Sequence, residues 1–416
     1  MNINKIKCKI LDDEVDLMCY SADSSDIEKT PKLVVIPQTT EDVSCAVEFA
    51  CENDLQIIAR GSGTSLCGQP FADIVLDMSR MNKILWLKDS VCVEAGVIPF
   101  ELNKYLNKFN LFFPPDPSTH KQCTIGGMIA NNASGIHSVK YGTTKDYVLG
   151  LEVVLADGSV IKTGTESLKS SAGYNITQLF CRSEGTLGII TKAILRVLPK
   201  PGKKIEAVAK FKTIEAAGQG IVDIKNIVIP SAMELLDDVA CKAVGADCNA
   251  MILIETDGSG AEEDMKKISK IVKLNYDEGA SYWDGRRNMV PALSKFSETG
   301  KAVLIAEDVG VPIRKIPEAI RGIKEIFEKH GLKATIYGHA GDGNLHPKVL
   351  CEAKDADTVE KEIYEFILGL GGTITAEHGI GLARKPYLSL EAKESLEVMK
   401  KIKNVLDPEG RFPNFL

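Results

Sequence analysis

The amino-acid sequence predicts an α+β protein of two domains. With 416 residues the chain exceeds one domain of usual size. Its first half is strand-rich, with short apolar runs separated by glycine, proline and charge. Its second half alternates apolar strands with amphipathic helices, the pattern of an antiparallel sheet with helices on one face. "PKPGKK" (199–204) separates the two textures.

In chain order, "KLVVIP" (32–37) reads as a buried strand ended by proline. "TTEDVSCAVEFACEN" (39–53) has apolar residues at helical spacing, Thr39 or Thr40 as N-cap and acids in the first turn. "LQIIA" is the next strand and enters "RGSGTSLCG" (60–68). Strands follow at "DIVLDM", "KILWLK" and "SVCVEAG". "PFELNKYLNKFN" then opens a helix with proline at its first position. "LGLEVVLADGSVIKTG" (149–164) is a hairpin turning at Asp157-Gly158. Beyond the boundary, "IEAVAKF", "AMILIETD", "AVLIAEDVG" and "KATIYGH" read as strands. "TIEAAGQGIVDIKNI", "AEEDMKKISKIV", "KIPEAIRGIKEIFEKHG" and "DTVEKEIYEFILGLGG" read as helices.

Composition excludes several classes. The net charge of −7, with basic residues dispersed, predicts no nucleic-acid or anionic-membrane partner. None of the eleven cysteines is spaced C-x-x-C, so iron–sulfur and zinc-finger patterns are absent. Their scatter predicts reduced thiols and a cytoplasmic location. The N-terminal stretch predicts no signal peptide, and no run approaches a membrane span.

Three small-residue stretches in the first half point to a large cofactor. "RGSGTSLCG" follows a strand but fails as a Rossmann turn: Leu66 stands where the third glycine belongs, and no helix pattern follows. "GTSLCGQP" lacks the Lys-Ser/Thr of a P-loop. Alone, the loop fits an anion-binding nest or an ordinary turn. "PPDPSTHKQCTIGGMIANNASGIHSVKYGTT" (114–144) is long, irregular and poor in charge, which suits function better than disorder. "CRSEGTLGIIT" (181–191) has the same small-residue character. Together the three favour a flat ligand that approaches the backbone closely.

"YGHAGDGNLH" (337–346) holds two of the six histidines around a turn. Read as a hairpin with "GDGN" at its tip, it pairs Ala340 with Leu345 and His339 with His346, so that two imidazoles on one face can share a metal. "TAEHGIG" offers Glu377 as a third ligand beside His378. A His-His-Glu set with open positions suits zinc, iron(II) or manganese. The competing reading is a hydrogen-bonded loop and a surface Glu-His pair. "YWDGRRNMVPALSKF" (282–296) supplies Arg286 and Arg287, either able to take a carboxylate in a bidentate way.

The order "IARGSGTSLCG", "PPDPSTHKQCTIGGMIANNASG", "KYGTT", "SEGTLGIIT", "YGHAGDGNLH", "AEHGIG", "LDPEGRFPN" resembles the FAD-linked 2-hydroxyacid dehydrogenases, the D-lactate dehydrogenase and glycolate oxidase large-subunit group of the vanillyl-alcohol-oxidase-type flavin fold. The resemblance implies a two-subdomain FAD domain at 1–199, a ferredoxin-like substrate (cap) domain at 200–375, and a C-terminal segment, 376–416, returning to the FAD domain. It implies that Arg60, Gly61, Ser62, Gly63, Thr64 and Ser65 cradle the FAD pyrophosphate. Pro115, Asp116, Gly126, Gly127, Asn131 and Ser134 line the cofactor further on, with Glu184, Gly185, Ile190 and Asn414. The glycine loop carries no histidine, so the FAD is noncovalent.

The resemblance also makes His339, His346 and Glu377 metal ligands and His378 the catalytic base. It places Arg287, with Asn344, on the substrate. Members selective for 2-hydroxyglutarate carry a threonine and a lysine where Pro291 and Ala302 stand, which implies a smaller D-2-hydroxy acid of the D-lactate or glycolate type. Electrons would pass to an iron–sulfur subunit or an electron-transfer flavoprotein, and through such a partner the protein would sit peripherally at a membrane. The alternative is a non-catalytic flavin-fold scaffold or electron conduit in a larger redox complex.

Overall fold

The structure is a computed structural model that describes residues 5–276, 279–298 and 305–416; Ala302 lies outside them. The described chain forms two compact units. The first comprises 1–134, 143–200 and 377–416, the second 135–142 and 201–376. The second unit therefore takes an eight-residue piece, Gly135–Gly142, from inside the expected 1–199 segment.

The first unit begins with a four-stranded sheet in the order Lys9–Leu11, Leu33–Ile36, Ile74–Asp77, Ile57–Arg60. The last three strands run parallel, because helix Thr40–Glu52 carries the chain back between them. Thr39 caps that helix in a capping box with Asp42. Ile57–Arg60 ends at the glycine loop, so the sheet delivers that loop at the carboxyl end of a parallel strand. A second, antiparallel sheet has five strands in the order Ile84–Leu87, Ser90–Glu94, Ile189–Arg196, Val148–Val154, Val160–Gly164. The hairpin expected at Asp157-Gly158 is present: Val154 pairs with Val160, and Gly158 adopts φ +84°, where a side chain would be strained. Helix Pro99–Leu106 starts on proline, as expected.

The C-terminal helix, Leu388–Leu406, closes this unit with a buried charge. Lys403 is 4% exposed; it pairs with Asp407 and donates to Thr186 O (2.8 Å) and Phe412 O (3.1 Å). Lys403→Met leaves Asp407 buried without its cation. The expected loss is about 3–5 kcal/mol, read as a lowered melting temperature. A melting point unchanged to within experimental error would refute this.

The second unit is built on a six-stranded antiparallel sheet in the order Lys204–Phe211, Ala250–Asp257, Ala232–Asp237, Ala334–Gly338, Asn344–Val349, Val309–Gly310. Helices Ile214–Lys225 and Ile316–Lys329 pack side by side. The second buries Ile316, Ala319, Ile320, Ile323, Ile326 and Phe327, one stripe at helical spacing. One strand was not anticipated and one expectation needs correction. Strand Ala232–Asp237 occupies a central position that "SAMELLDD" did not suggest. "AVLIAEDVG" contributes only Val309–Gly310 as strand among the described residues, because the chain turns at 305–308. No helix among the described residues is long and apolar enough to cross a membrane.

Candidate active site

A cleft opens in the first unit. The glycine loop, Gly61 to Ser65, forms one wall. Gly61 needs to be glycine, since a Cβ there would lie 2.4 Å from Thr124 Oγ1. Thr124 caps the short helix Ile125–Asn131, which brings Gly126, Gly127 and Asn131 to the cleft. Gly126 in turn sits against Ala95, where a Cβ would approach to 2.8 Å. Ser134, Glu184, Gly185 and Ile190 complete the expected lining. Glycine-framed walls that let a flat ligand approach the backbone closely fit a dinucleotide cofactor.

Four expected residues stand elsewhere. Arg60 is buried behind the loop, its Nη2 donating to Ala22 O (2.7 Å) and its guanidinium 5.7 Å from the centre of the Tyr20 ring. Pro115 and Asp116 precede the lining stretch, which is Pro117, Ser118 and Thr119 instead. Asn414 is exposed at the C-terminus, its carbonyl accepting from Lys385 (2.6 Å). Sequence reasoning missed Gln69, a buried residue of the lining with no local signal in the chain.

Glu377 and His378 also line this cleft. Ser134 Oγ donates to Glu377 Oε1 (3.0 Å), and His378 Nε2 stands 3.9 Å from Glu377 Oε2. Glu184 accepts from the amides of Ile380 (2.9 Å) and Gly381 (2.8 Å) and from Gln69 Nε2 (2.6 Å). Burial pushes the Glu184 carboxyl above its ordinary range, while those three donors pull the other way.

The two turn histidines lie in the second unit. The hairpin register differs from the expected one: His346 opposes Tyr337, not His339, and Ala334–Gly338 ends before His339. Gly338, at φ +159°, lies so close to Asn344 and Leu345 that a Cβ would meet backbone at 2.4 Å, so the strand opens there. The slip is by two residues, and side chains alternate with period two, so the face is preserved. His339 and His346 become diagonal neighbours with ring centroids 5.3 Å apart and planes at 87°.

Each imidazole is oriented from behind. His346 Nδ1 is 2.9 Å from Glu307 O, and His339 Nδ1 is 2.7 Å from Glu234 Oε1. An Nδ1–H donated to oxygen leaves the ring lone pair on Nε2, the tautomer that ligates a metal. Glu234 is fully buried at 0% exposure in the strand missed by sequence. Burial raises its carboxyl, but Arg286 and His339 outweigh that and hold it below its ordinary value. An isolated acid inside the apolar run "SAMELLDD" was the available signal.

The two arginines divide sharply. Arg286 is buried, 2.7 Å from Glu234 Oε2, with its guanidinium 4.9 Å from the Tyr337 ring centre. Its Nε donates to no acceptor among the described residues. Arg287, the arginine preferred on sequence register, is exposed and pairs with Asp284 at 3.5 Å. Helix Gly279–Arg287 sends adjacent side chains about 100° apart, so only one can face the histidine pair. Asn344 is buried and donates to Asp308 Oδ1 (2.9 Å) and Val309 O (3.1 Å), which ties it to the strand edge.

The sheets and the glycine-framed cleft define an α+β protein built to hold a flat nucleotide cofactor. Comparison with known proteins carries this further. A family described as "FAD binding domain" matches residues 31–164, and "FAD linked oxidases, C-terminal domain" matches 200–414. The Bacillus subtilis glycolate oxidase subunit GlcD is 37% identical across 96% of this chain and 92% of that protein. A D-lactate dehydrogenase of Archaeoglobus fulgidus is 32% identical across 91% of this chain and 89% of its own. The solved structure of p-cresol methylhydroxylase with substrate bound aligns with a TM-score of 0.79 over 97% of this chain and 93% of that one, at 15% identity, a likeness of fold. The chain belongs to the FAD-linked oxidase family and is an FAD-dependent oxidoreductase of the type that includes those two named relatives.

Proposed function

We propose that this protein oxidises a small D-2-hydroxy acid, D-lactate or glycolate, to the 2-oxo acid. The observation that carries the reading is the histidine pair with both Nδ1 atoms committed to oxygen. Glu377 follows directly on Ala376, whose amide donates to Asp308 O (3.0 Å) at the edge of the same sheet. His339, His346 and Glu377 would hold a divalent cation, of zinc, iron(II) or manganese chemistry. The flavin-cleft residues would hold FAD without a covalent bond, since no histidine stands in the glycine loop.

When bound, FAD supplies a hydride acceptor and the cation a Lewis acid. The chain's own residues do the rest. Arg286, in place of Arg287, takes the substrate carboxylate and fixes its orientation. His378 removes the hydroxyl proton at an imidazole nitrogen as general base. Asn344 holds the strand edge in place. Electrons then leave for a separate protein, an iron–sulfur subunit or an electron-transfer flavoprotein. The absence of C-x-x-C spacing and the word "subunit" in the name of the Bacillus relative support that step.

Anaerobic titration tests the reading. Purified FAD-loaded protein should lose its yellow absorbance on addition of D-lactate or glycolate and keep it with L-lactate. A flavin that no 2-hydroxy acid bleaches would instead favour a non-catalytic scaffold or electron conduit.

A further inference from the structure

The turn that carries His378 is gripped from beneath by the flavin cleft. Gln69 Nε2 donates to His378 O (3.1 Å) and to Glu184 Oε2 (2.6 Å). Gln69 Oε1 accepts from Asn131 Nδ2 (2.7 Å). Glu184 takes two further amides of the turn, those of Ile380 and Gly381. The fit is close: a Cβ on Gly379 would lie 2.6 Å from Gln69 Nε2 and 3.0 Å from Glu184 Cδ. Glu184 reaches this position because it and Gly185 adopt φ 54° and 72°, turning the loop back on itself, while its own amide donates to Ala130 O (2.8 Å).

These bonds hold the main chain on the C-terminal side of the His378 imidazole. Three of the groups involved, Asn131, Gln69 and Glu184, come from three different segments of the cleft lining. We propose that Gln69 and Glu184 are positioning residues for His378, a lock that sets the imidazole against the flavin cleft and couples cofactor loops to the base. Glu184 thereby acts through the turn and not as a flavin ligand. The inference rests on His378 being the base.

Geometry dictates the test. In Glu184→Gln, one acceptor oxygen becomes an NH2 group facing the donors of Gln69 or the turn amides, so donor meets donor. Glu184→Ala removes the acceptor of all three donors, Gln69 and the Ile380 and Gly381 amides, and should lose more than Glu184→Gln. The expected kcat of Glu184→Gln is down roughly tenfold to a hundredfold, with FAD content and KM little changed. Backbone amide exchange at 379–383 should rise in both variants, more in Glu184→Ala. Gln69→Met, close in volume, provides a second route should Glu184→Gln fold poorly; it should lower kcat in the same sense.

An unchanged kcat in Glu184→Ala overturns the lock, as does a kcat loss that only tracks loss of FAD. His378→Ala separates the two readings. If it stays active, the base assignment fails, whereas unchanged amide exchange in Glu184→Gln sinks the lock itself.

Discussion

Arg286→Ala should lower kcat/KM for the proposed 2-hydroxy acid by roughly 100-fold to 1,000-fold, about 3–4 kcal/mol, while Arg287→Ala should leave it within about threefold. The difference comes from burial. Arg286 is enclosed between Glu234 and the Tyr337 ring, where a guanidinium attracts an anion with little screening by water. Arg287 is exposed, its partner Asp284 is 3.5 Å away, and solvent weakens whatever it does. Arg286→Lys sharpens the result. An ammonium keeps the charge but cannot offer two parallel N–H donors to a carboxylate, so KM should rise even where kcat survives. Removing Arg286 also leaves Glu234 buried beside His339 without its cation, so a melting curve accompanies the kinetics. Equal effects at the two arginines would refute the assignment.

The chain made much of this legible, and its gaps have physical causes. The βαβ start, the Asp157-Gly158 hairpin and the amphipathic helix at Ile316–Lys329 follow from short-range rules, since capping, turn chemistry and apolar spacing agree there. The glycine and asparagine stretches of the cleft were readable because close approach to backbone demands small residues. Strand Ala232–Asp237 was not. Alanine, methionine, glutamate and leucine favour helix, and a charge in a central strand looks misplaced until Arg286 and His339 surround it. The histidine register failed for a related reason. Alternation reveals a face but not an offset of two, and the close contact at Gly338 that opens the hairpin is tertiary. Gln69 had no signal because its partners, Asn131, Glu184 and His378, lie 62, 115 and 309 positions away. Arg60 shows the converse. It belongs to a readable motif, yet its side chain points behind the loop to Ala22 and Tyr20, where it braces the glycine turn.

Exhaustive chelation should abolish turnover and leave the protein yellow. His339→Ala and His346→Ala should do the same without chelator, each lowering kcat by a factor of about 1,000 or more, some 4 kcal/mol of barrier. The flavin should stay because the cleft lining among the described residues comes from the first unit, and neither histidine belongs to that unit. Readdition of zinc, manganese or iron(II) to the stripped wild-type protein should restore activity, and metal analysis should show one equivalent lost on chelation. The oriented imidazoles predict a graded series. Glu234→Gln keeps the size of the side chain but weakens the grip on His339 Nδ1, so metal affinity should fall roughly tenfold to a hundredfold, less than loss of a ligand. His346 takes its orientation from the Glu307 backbone carbonyl, which no side-chain substitution removes, so Glu307→Gln should spare affinity more than Glu234→Gln does. Lys348, paired with the Glu307 carboxylate at 2.8 Å, would then register its loss in stability and not in metal content. Full activity in exhaustively stripped protein ends the metal reading, and with it the reason for two imidazoles to be held 5.3 Å apart.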